Sequence, residues 1–178
     1  MLRPIQCFHP QLPPGPRAQE PLTETDAAWI EHFWRALGGD PARMVVDCGV
    51  GAITAFDPTS GCVRFGADVY PGEGRSPNER VEVQAAIAHE LRHQQRFDAG
   101  VVFEGEGVWH IEEAITSLEA AEYSTLDADH RWQLVWDALQ RLYTPLSADA
   151  VKVDPLRLLL ETLTPALTLL AEEHVDEH

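Results

Sequence analysis

The pentad His89-Glu90-Leu91-Arg92-His93 has the residue types and the spacing of a zinc-binding helix. Two histidines four residues apart lie about one turn apart on the same face of a helix, so both imidazoles can bind one Zn²⁺. Glu90 then lies beside the open coordination position, where its carboxylate can accept a proton from a metal-bound water. The pattern predicts His89 and His93 as metal ligands and Glu90 as a general base.

The residues around the pentad favour a helix. The run of residues 79–97 contains no Gly or Pro and has several strong helix formers. At about 100° per residue, both histidines share a stripe with Glu82, Ala86 and Arg96. The apolar residues form a separate stripe of Val83, Ile87 and Leu91. The alternative interpretation is a solvated polar face on an ordinary core helix, in which the pentad binds no metal.

A third metal ligand is expected from the next predicted helix, which begins near His110 after a glycine-rich loop. Glu112 and Glu113 are about 100° apart on this helix, so only one of them can face a metal bound to the pentad. Glu113 borders a side of small residues, where two helices could approach closely. Those small residues are Ala114, Ser117, Ala120 and Ala121. Glu113 is therefore the favoured ligand and Glu112 is the fallback.

Together these segments resemble the gluzincin metallopeptidases, the thermolysin-like group, over residues 83–117. In that family H-E-x-x-H is followed about twenty residues later by N-E-x-x-S-D in a second helix. The resemblance implies a minimal zincin-like fold without a large C-terminal domain. It also implies one Zn²⁺ bound by His89, His93 and Glu113, and hydrolysis of peptide bonds.

Ser117 departs from the family pattern, because the family has an aspartate at this position. That aspartate accepts a hydrogen bond from the outer nitrogen of the first zinc histidine and so fixes its tautomer. We expect metal affinity or activity to fall unless Glu82 or Asp98 takes over this contact. The same two carboxylates are the expected ion-pair partners of Arg96, which could otherwise meet a substrate carboxylate. The family also stabilises the oxyanion with a Tyr and a His, for which the unranked candidates are His110, Tyr123 and Tyr143.

Three short strands are predicted before the pentad, at residues 44–48, 52–56 and 62–69, with a turn at residues 57–61. A small sheet directly before the zinc helix is the arrangement of the resembling enzymes, in which an edge strand binds an extended peptide by strand addition. We expect residues 63–69 to be that edge strand. The alternative is a plain structural hairpin.

Helices are predicted on both sides of this central region. The first is capped by Thr23 and Asp26 and ends at Gly38-Gly39. Its core stripe consists of Trp29, Ile30, Phe33, Trp34 and Leu37. The C-terminal third carries a second stripe of Trp132, Val135, Trp136, Leu139, Leu142 and Tyr143. A further helix begins at Asp154 with Pro155 at its first position, and its leucines are expected to pack on the metal helices. A dimer interface is the minority interpretation of those leucines, so we expect a monomer or a weak homodimer.

Length and composition limit the function further. A chain of 178 residues fits one domain, which we place at residues 23–178 after a Pro-rich extended arm at residues 1–22. No apolar run approaches the ~18 residues that span a membrane, and the arm lacks the apolar core of a secretory signal. We therefore expect a cytoplasmic protein with no membrane partner. The net charge of −16 argues against a nucleic-acid partner.

The three cysteines, Cys7, Cys48 and Cys62, form no C-x-x-C pair and are typical of reduced thiols. A bridge between Cys48 and Cys62 is the minority alternative. Cys7 is expected to be an ordinary tail cysteine, although its thiolate could also occupy the open zinc position as a latch.

The sequence as a whole predicts an α+β, zincin-like fold with a small twisted mainly antiparallel sheet packed on helices and a helical C-terminal third. The predicted function is that of a zinc metallopeptidase acting on a peptide or protein substrate. The alternative is a catalytically silent zincin-like domain that binds metal in a regulatory or interaction role. A metal-free helical interaction protein is the third interpretation.

Overall fold

The fold is an α+β arrangement of helices around a small sheet, seen in a computed structural model that describes residues 17–72, 76–101 and 109–143. These residues form five α-helices, one three-stranded sheet and two short 3₁₀ helices. The α-helices are α1 (Glu24–Ala36), α2 (Pro77–Arg80), α3 (Val83–Asp98), α4 (Trp109–Ala120) and α5 (Ala128–Tyr143). The strands are β1 (Met44–Val46), β2 (Ala55–Asp57) and β3 (Cys62–Phe65), and the 3₁₀ helices span Pro41–Arg43 and Ala67–Val69.

The sheet is mixed, with the strand order β1-β3-β2. β3 pairs in parallel with β1 and antiparallel with β2. The predicted turn at residues 57–61 does join β2 and β3 as a hairpin. β2 does not pair with β1, however, and β3 lies between these two strands. The neighbour of β1 is therefore β3, which runs in the same direction. The prediction of a mainly antiparallel sheet is therefore wrong.

β3 lies at the centre of the sheet, so the prediction that residues 63–69 form a peptide-binding edge is also wrong. Val63 and Phe65 are fully buried. After Phe65 the chain leaves the sheet and forms the 3₁₀ helix Ala67–Val69. The outer strand beside α3 is β2, whose Phe56 packs against side chains of that helix.

α1 begins and ends at the residues that the sequence predicted. Thr23 and Asp26 form a reciprocal capping box at its N-terminus. The chain leaves the helix through Gly38, whose φ of 89° lies in the region that favours glycine. Trp34 is fully buried and meets the ring of Phe65 edge-on, with 5.6 Å between the ring centroids. This contact fastens α1 to the sheet.

α3 carries the pentad and contacts the sheet, α1, α4 and α5. The sequence predicted one helix over residues 79–97, whereas two helices form. A capping box of Ser76 and Glu79, with Pro77 at the first position, starts the separate short helix α2. The chain then breaks at Val81, whose ψ of 120° is not helical. The side of α3 that enters the core consists of Val83, Ala85, Ile87, Ala88 and Leu91.

α5 packs along α4 and buries charged as well as apolar residues. Leu134 and Ala138 belong to the core. Trp136, which the sequence placed on the apolar stripe, is 57% exposed, whereas its neighbour Asp137 is 2% exposed. The helix is rotated in this way because partners inside the fold satisfy the Asp137 carboxylate. The helix predicted from Asp154 onward lies outside the described residues, and so does the dimer interface considered for it.

The last part of the predicted arm is attached to the domain. Residues 1–16, with Cys7 and its latch, lie outside the described residues. From Arg17 onward the chain contacts the fold, and Leu22 is buried in the core. The Arg17 guanidinium donates hydrogen bonds to the backbone carbonyls of Asp68, Val69, Asn78 and Val81.

Cys48 and Cys62 are both free thiols, so the bridge considered from the sequence does not form. Cys48 is exposed and Cys62 is partly buried. In the described part of the chain, no helix combines the length and the apolar character needed to cross a membrane.

Candidate metal centre

Three side chains on two helices converge as the sequence predicted. Nε2 of His93 lies 3.0 Å from Nε2 of His89. One carboxylate oxygen of Glu113 lies 3.3 Å from Nε2 of His89, and the other lies 3.2 Å from Nε2 of His93. A tetrahedral ion with bonds of about 2.0–2.1 Å separates its ligand atoms by about 3.3 Å. The three side chains are therefore spaced as a group that could hold one metal ion.

The geometry separates the two candidate glutamates. Glu112 accepts two hydrogen bonds from the Arg96 guanidinium, at 3.0 and 2.9 Å, and approaches only the outer nitrogen Nδ1 of His93, at 3.9 Å. Glu113 faces Nε2 of both histidines. Ala114 and Ala120 are fully buried on the small-residue side of α4, and short side chains there let this helix approach its neighbours closely. The structure thus brings Glu113, and not Glu112, to the centre.

His89 is held through its second nitrogen by a serine and an aspartate. Nδ1 of His89 lies 2.9 Å from Oγ of Ser117, and that hydroxyl donates a 2.6 Å hydrogen bond to Asp137. Since the only hydroxyl proton of Ser117 goes to the carboxylate, Ser117 accepts the proton carried by Nδ1. This tautomer leaves the lone pair of Nε2 free for a metal.

The carboxylates expected to support His89 are used elsewhere. Glu82 lies 3.3 Å from His130, and Asp98 forms an ion pair with Arg43. The prediction that Glu82 or Asp98 replaces the missing aspartate is therefore wrong. It is also wrong that either of them pairs with Arg96, because that guanidinium binds carboxylates of α4, Glu112 and Glu119.

His93 is oriented by weaker contacts. Oγ1 of Thr116 lies 3.4 Å from Nδ1 of His93. The ring of Phe56 lies nearly parallel to the imidazole, with an interplanar angle of 10° and 6.4 Å between centroids. The strand β2 therefore lies directly beside this half of the centre.

A partly buried arginine of α5 stabilises the anionic form of Glu113. Arg141 donates from NH1 to Glu113 at 2.9 Å and from Nε to Asp137 at 2.8 Å. Burial by itself would raise the pKa of Glu113, but the Arg141 cation and both histidines hold that pKa well below its ordinary value. The carboxylate is thus present in the form that binds metal ions.

Glu90 has an unpartnered carboxylate oxygen. Its Oε2 is buried, and no described residue hydrogen-bonds to it. Burial raises the pKa of Glu90 to about 7. A buried carboxylate oxygen without a partner is costly in a fold, and such groups concentrate at functional sites.

No protein-family model, curated protein or solved structure matches the chain. The centre's ligand set of two imidazoles and one carboxylate suits a transition metal better than Mg²⁺ or Ca²⁺, which prefer oxygen ligands.

The positions of Tyr123, His110 and Tyr143 decide which of them remains a candidate for stabilising an oxyanion. The Tyr123 hydroxyl donates to Gln95 at 2.8 Å, and Gln95 lies about 120° or more around α3 from both histidines. Tyr123 is therefore not brought to the centre. His110 lies within electrostatic reach of Glu113 and Arg141, and burial lowers its pKa. The side chain of Tyr143 lies outside the described part of the structure.

Asp137 and Arg141 are the site residues that the sequence analysis missed. They are four residues apart on α5 with opposite charges, a spacing typical of an ordinary helical ion pair. In the sequence, both residues adjoin the predicted apolar stripe of this helix. That position is the signal that could have predicted their burial. Only the packing of α5 on α4 shows that both residues also face the candidate ligands.

Proposed function

We propose that the protein is a zinc-dependent peptidase whose centre is formed by His89, His93 and Glu113. The observation that carries the proposal is the 3.0–3.3 Å spacing of the three ligand atoms. Three protein ligands leave one position of a tetrahedral zinc open, as in catalytic rather than structural zinc sites. Within the described residues, no fourth His, Cys, Asp or Glu joins the group.

Glu90 is the proton-transfer residue of the proposed mechanism. A zinc ion at the centre would supply Lewis acidity toward a water and toward the scissile carbonyl. Glu90 follows the first ligand directly in the chain, and its Oε2 has no described partner that would compete for the proton. It would accept a proton from the attacking water and then deliver that proton to the leaving amine.

The substrate is proposed to be an extended peptide that lies along β2. This strand is the outer strand beside the centre, and its Phe56 packs on His93 and on Phe97. Strand addition would supply backbone hydrogen bonds, and the two rings offer an apolar surface next to the reacting bond. His110 is the remaining described candidate for stabilising the oxyanion.

The test measures metal content and turnover in matched variants. Protein purified without added metal is expected to contain about one zinc per chain. Glu113→Gln should lose more than about 100-fold in zinc affinity, since a ligand matters more than the 10–100-fold typical of its supporting residues. Glu112→Gln is the matched control and should retain the metal. Glu90→Gln should retain the metal and lose turnover of a peptide library.

Several results would contradict the proposal. Zinc bound equally by wild type and Glu113→Gln would place the site elsewhere. No zinc uptake, even with zinc supplied, would favour the metal-free helical interpretation. Stoichiometric zinc without turnover of any peptide would instead favour the catalytically silent metal-binding domain.

A further inference from the structure

We propose that Asp137 and Arg141 are positioning residues of the metal centre, holding His89 through Ser117 and holding Glu113 directly. The inference rests on the proposed function, because it assumes that these side chains bind a metal. It goes further because it assigns a role to α5. This helix supplies none of the proposed ligands, yet it would orient two of the three.

The hydrogen-bond network of Asp137 and Arg141 has two halves. The first half fixes the direction of the hydrogen bond between His89 and Ser117. A serine hydroxyl by itself can either donate or accept, so Ser117 alone would leave the tautomer of His89 undetermined. Asp137 removes that freedom, because an ionised carboxylate only accepts, and its 2.6 Å contact takes the serine proton. Ser117 is fully buried and Asp137 is 2% exposed, so water does not compete for these bonds. Ser117 and Asp137 thus hold the imidazole of His89 through a two-residue relay.

The second half of the network joins the same aspartate to the other ligand. Nε of Arg141 binds Oδ2 of Asp137, the oxygen that also accepts from Ser117. NH1 of Arg141 binds Oε2 of Glu113 at 2.9 Å. The rigid guanidinium therefore fixes the distance between the two carboxylates, which a flexible lysine would not do. A chain of hydrogen bonds runs from one ligand to the other through α5.

Asn78 completes the set of contacts around Asp137. Its side-chain amide donates to Oδ1 of Asp137 at 3.2 Å. The ion pair of the buried Asp137 with the partly buried Arg141 would already satisfy much of the charge of both groups. Each of them nevertheless has a further contact directed toward a ligand, and this favours a positioning role over a purely structural one.

The test is the zinc dissociation constant, measured by competition with a chelator, of Asp137→Asn and Ser117→Ala. The amide of Asp137→Asn can donate to Ser117 and reverse the relay, which would place the proton of His89 on Nε2 and block the metal. We expect the dissociation constant to rise about 10–100-fold in both variants. Glu119→Gln, which weakens the ion pair between Glu119 of α4 and Arg96 of α3 without touching a proposed ligand, is the control and should bind zinc as wild type does.

A second measurement separates positioning from stability. With Co²⁺ in place of zinc, the d–d absorption of Asp137→Asn and of Arg141→Lys should shift, whereas that of Glu119→Gln should match wild type. Urea unfolding of the metal-free proteins identifies variants that are merely destabilised. Unchanged zinc affinity and an unchanged Co²⁺ spectrum in folded Asp137→Asn and Arg141→Lys would overturn this inference and leave the proposed function intact. Absence of zinc binding by wild type would overturn both.

Discussion

Replacement of Arg96 by methionine should destabilise the fold without weakening metal binding at the proposed centre. Arg96 is 7% exposed and donates to two carboxylates of α4. Two hydrogen bonds reach Glu112, at 3.0 and 2.9 Å, and one reaches Glu119, at 2.6 Å. Methionine fills a similar volume but leaves both carboxylates without this cation. The ion pairs join α3 to α4, the two helices that carry the proposed ligands.

The expected loss in the free energy of unfolding is smaller than the loss caused by breaking a fully buried ion pair. Breaking a buried pair costs about 3–5 kcal/mol, because a charge is left without compensation. The side chains of Glu112 and Glu119 are 20% and 29% exposed, so water recovers part of that cost. We therefore expect Arg96→Met to lower the free energy of unfolding by about 2–4 kcal/mol. With a urea m-value of about 2 kcal/mol/M, the midpoint should fall by about 1–2 M.

The assay is equilibrium urea unfolding, with Arg35→Met as the matched control. Arg35 pairs with Glu31 one turn away on α1, and both side chains are about half exposed. Such surface pairs contribute less than about 0.5 kcal/mol, so the control midpoint should hardly move. Equal midpoints for the two variants would refute the assignment of Arg96 as a buried connection between α3 and α4. If the folded Arg96→Met variant binds zinc as wild type does, Arg96 contributes to stability and not to the proposed metal centre.

Two further predictions concern the elements that frame the centre. Gly66→Ala should lower the free energy of unfolding by about 1–3 kcal/mol or more, because the added Cβ would lie 2.1 Å from the Ala52 carbonyl oxygen. The control is Gly49→Ala, in which the added Cβ meets only the movable Asp47 carboxylate, at 2.9 Å. The urea midpoint of this control should stay near that of wild type. Hydrogen bonds from Thr23 lower the pKa of Asp26, so this carboxylate stabilises the fold above the ordinary aspartate pKa of about 3.9, and its contribution disappears as the pH falls through the lowered value. The stability difference between wild type and Asp26→Asn should therefore shrink in acid, and a difference that does not change with pH would contradict this role.

The elements that sequence reasoning predicted correctly depend on local signals. The capping box of Thr23 and Asp26 needs only residues three apart, and α1 begins where it predicted. His89 and His93 share a face because of helix geometry alone. The small residues on one side of α4 predicted that Glu113, rather than Glu112, would face these histidines, and Glu113 does lie beside them. Spacing along one element determines all of these features.

The features that were wrong or missed depend on how elements pack. Strand pairing partners cannot be deduced from alternation within each strand, and the central place of β3 depends on the path of the loop before β2. The chain breaks at Val81, between α2 and α3, although no Gly or Pro interrupts the run. Tyr123 was a candidate partner of the centre, but its hydroxyl binds Gln95 on another side of α3.

The sequence by itself determined the chemistry available to this protein: two imidazoles on one helical face, a carboxylate beside them and a second carboxylate on the next helix. Only the tertiary structure decided which groups support them. Asp137 and Arg141 lie more than twenty residues beyond Glu113, and no local period relates the three positions. Their contacts with Ser117 and Glu113 exist because α5 packs on α4 with its charged residues turned inward. Side-chain identity sets what a residue can bind, whereas packing sets what it meets.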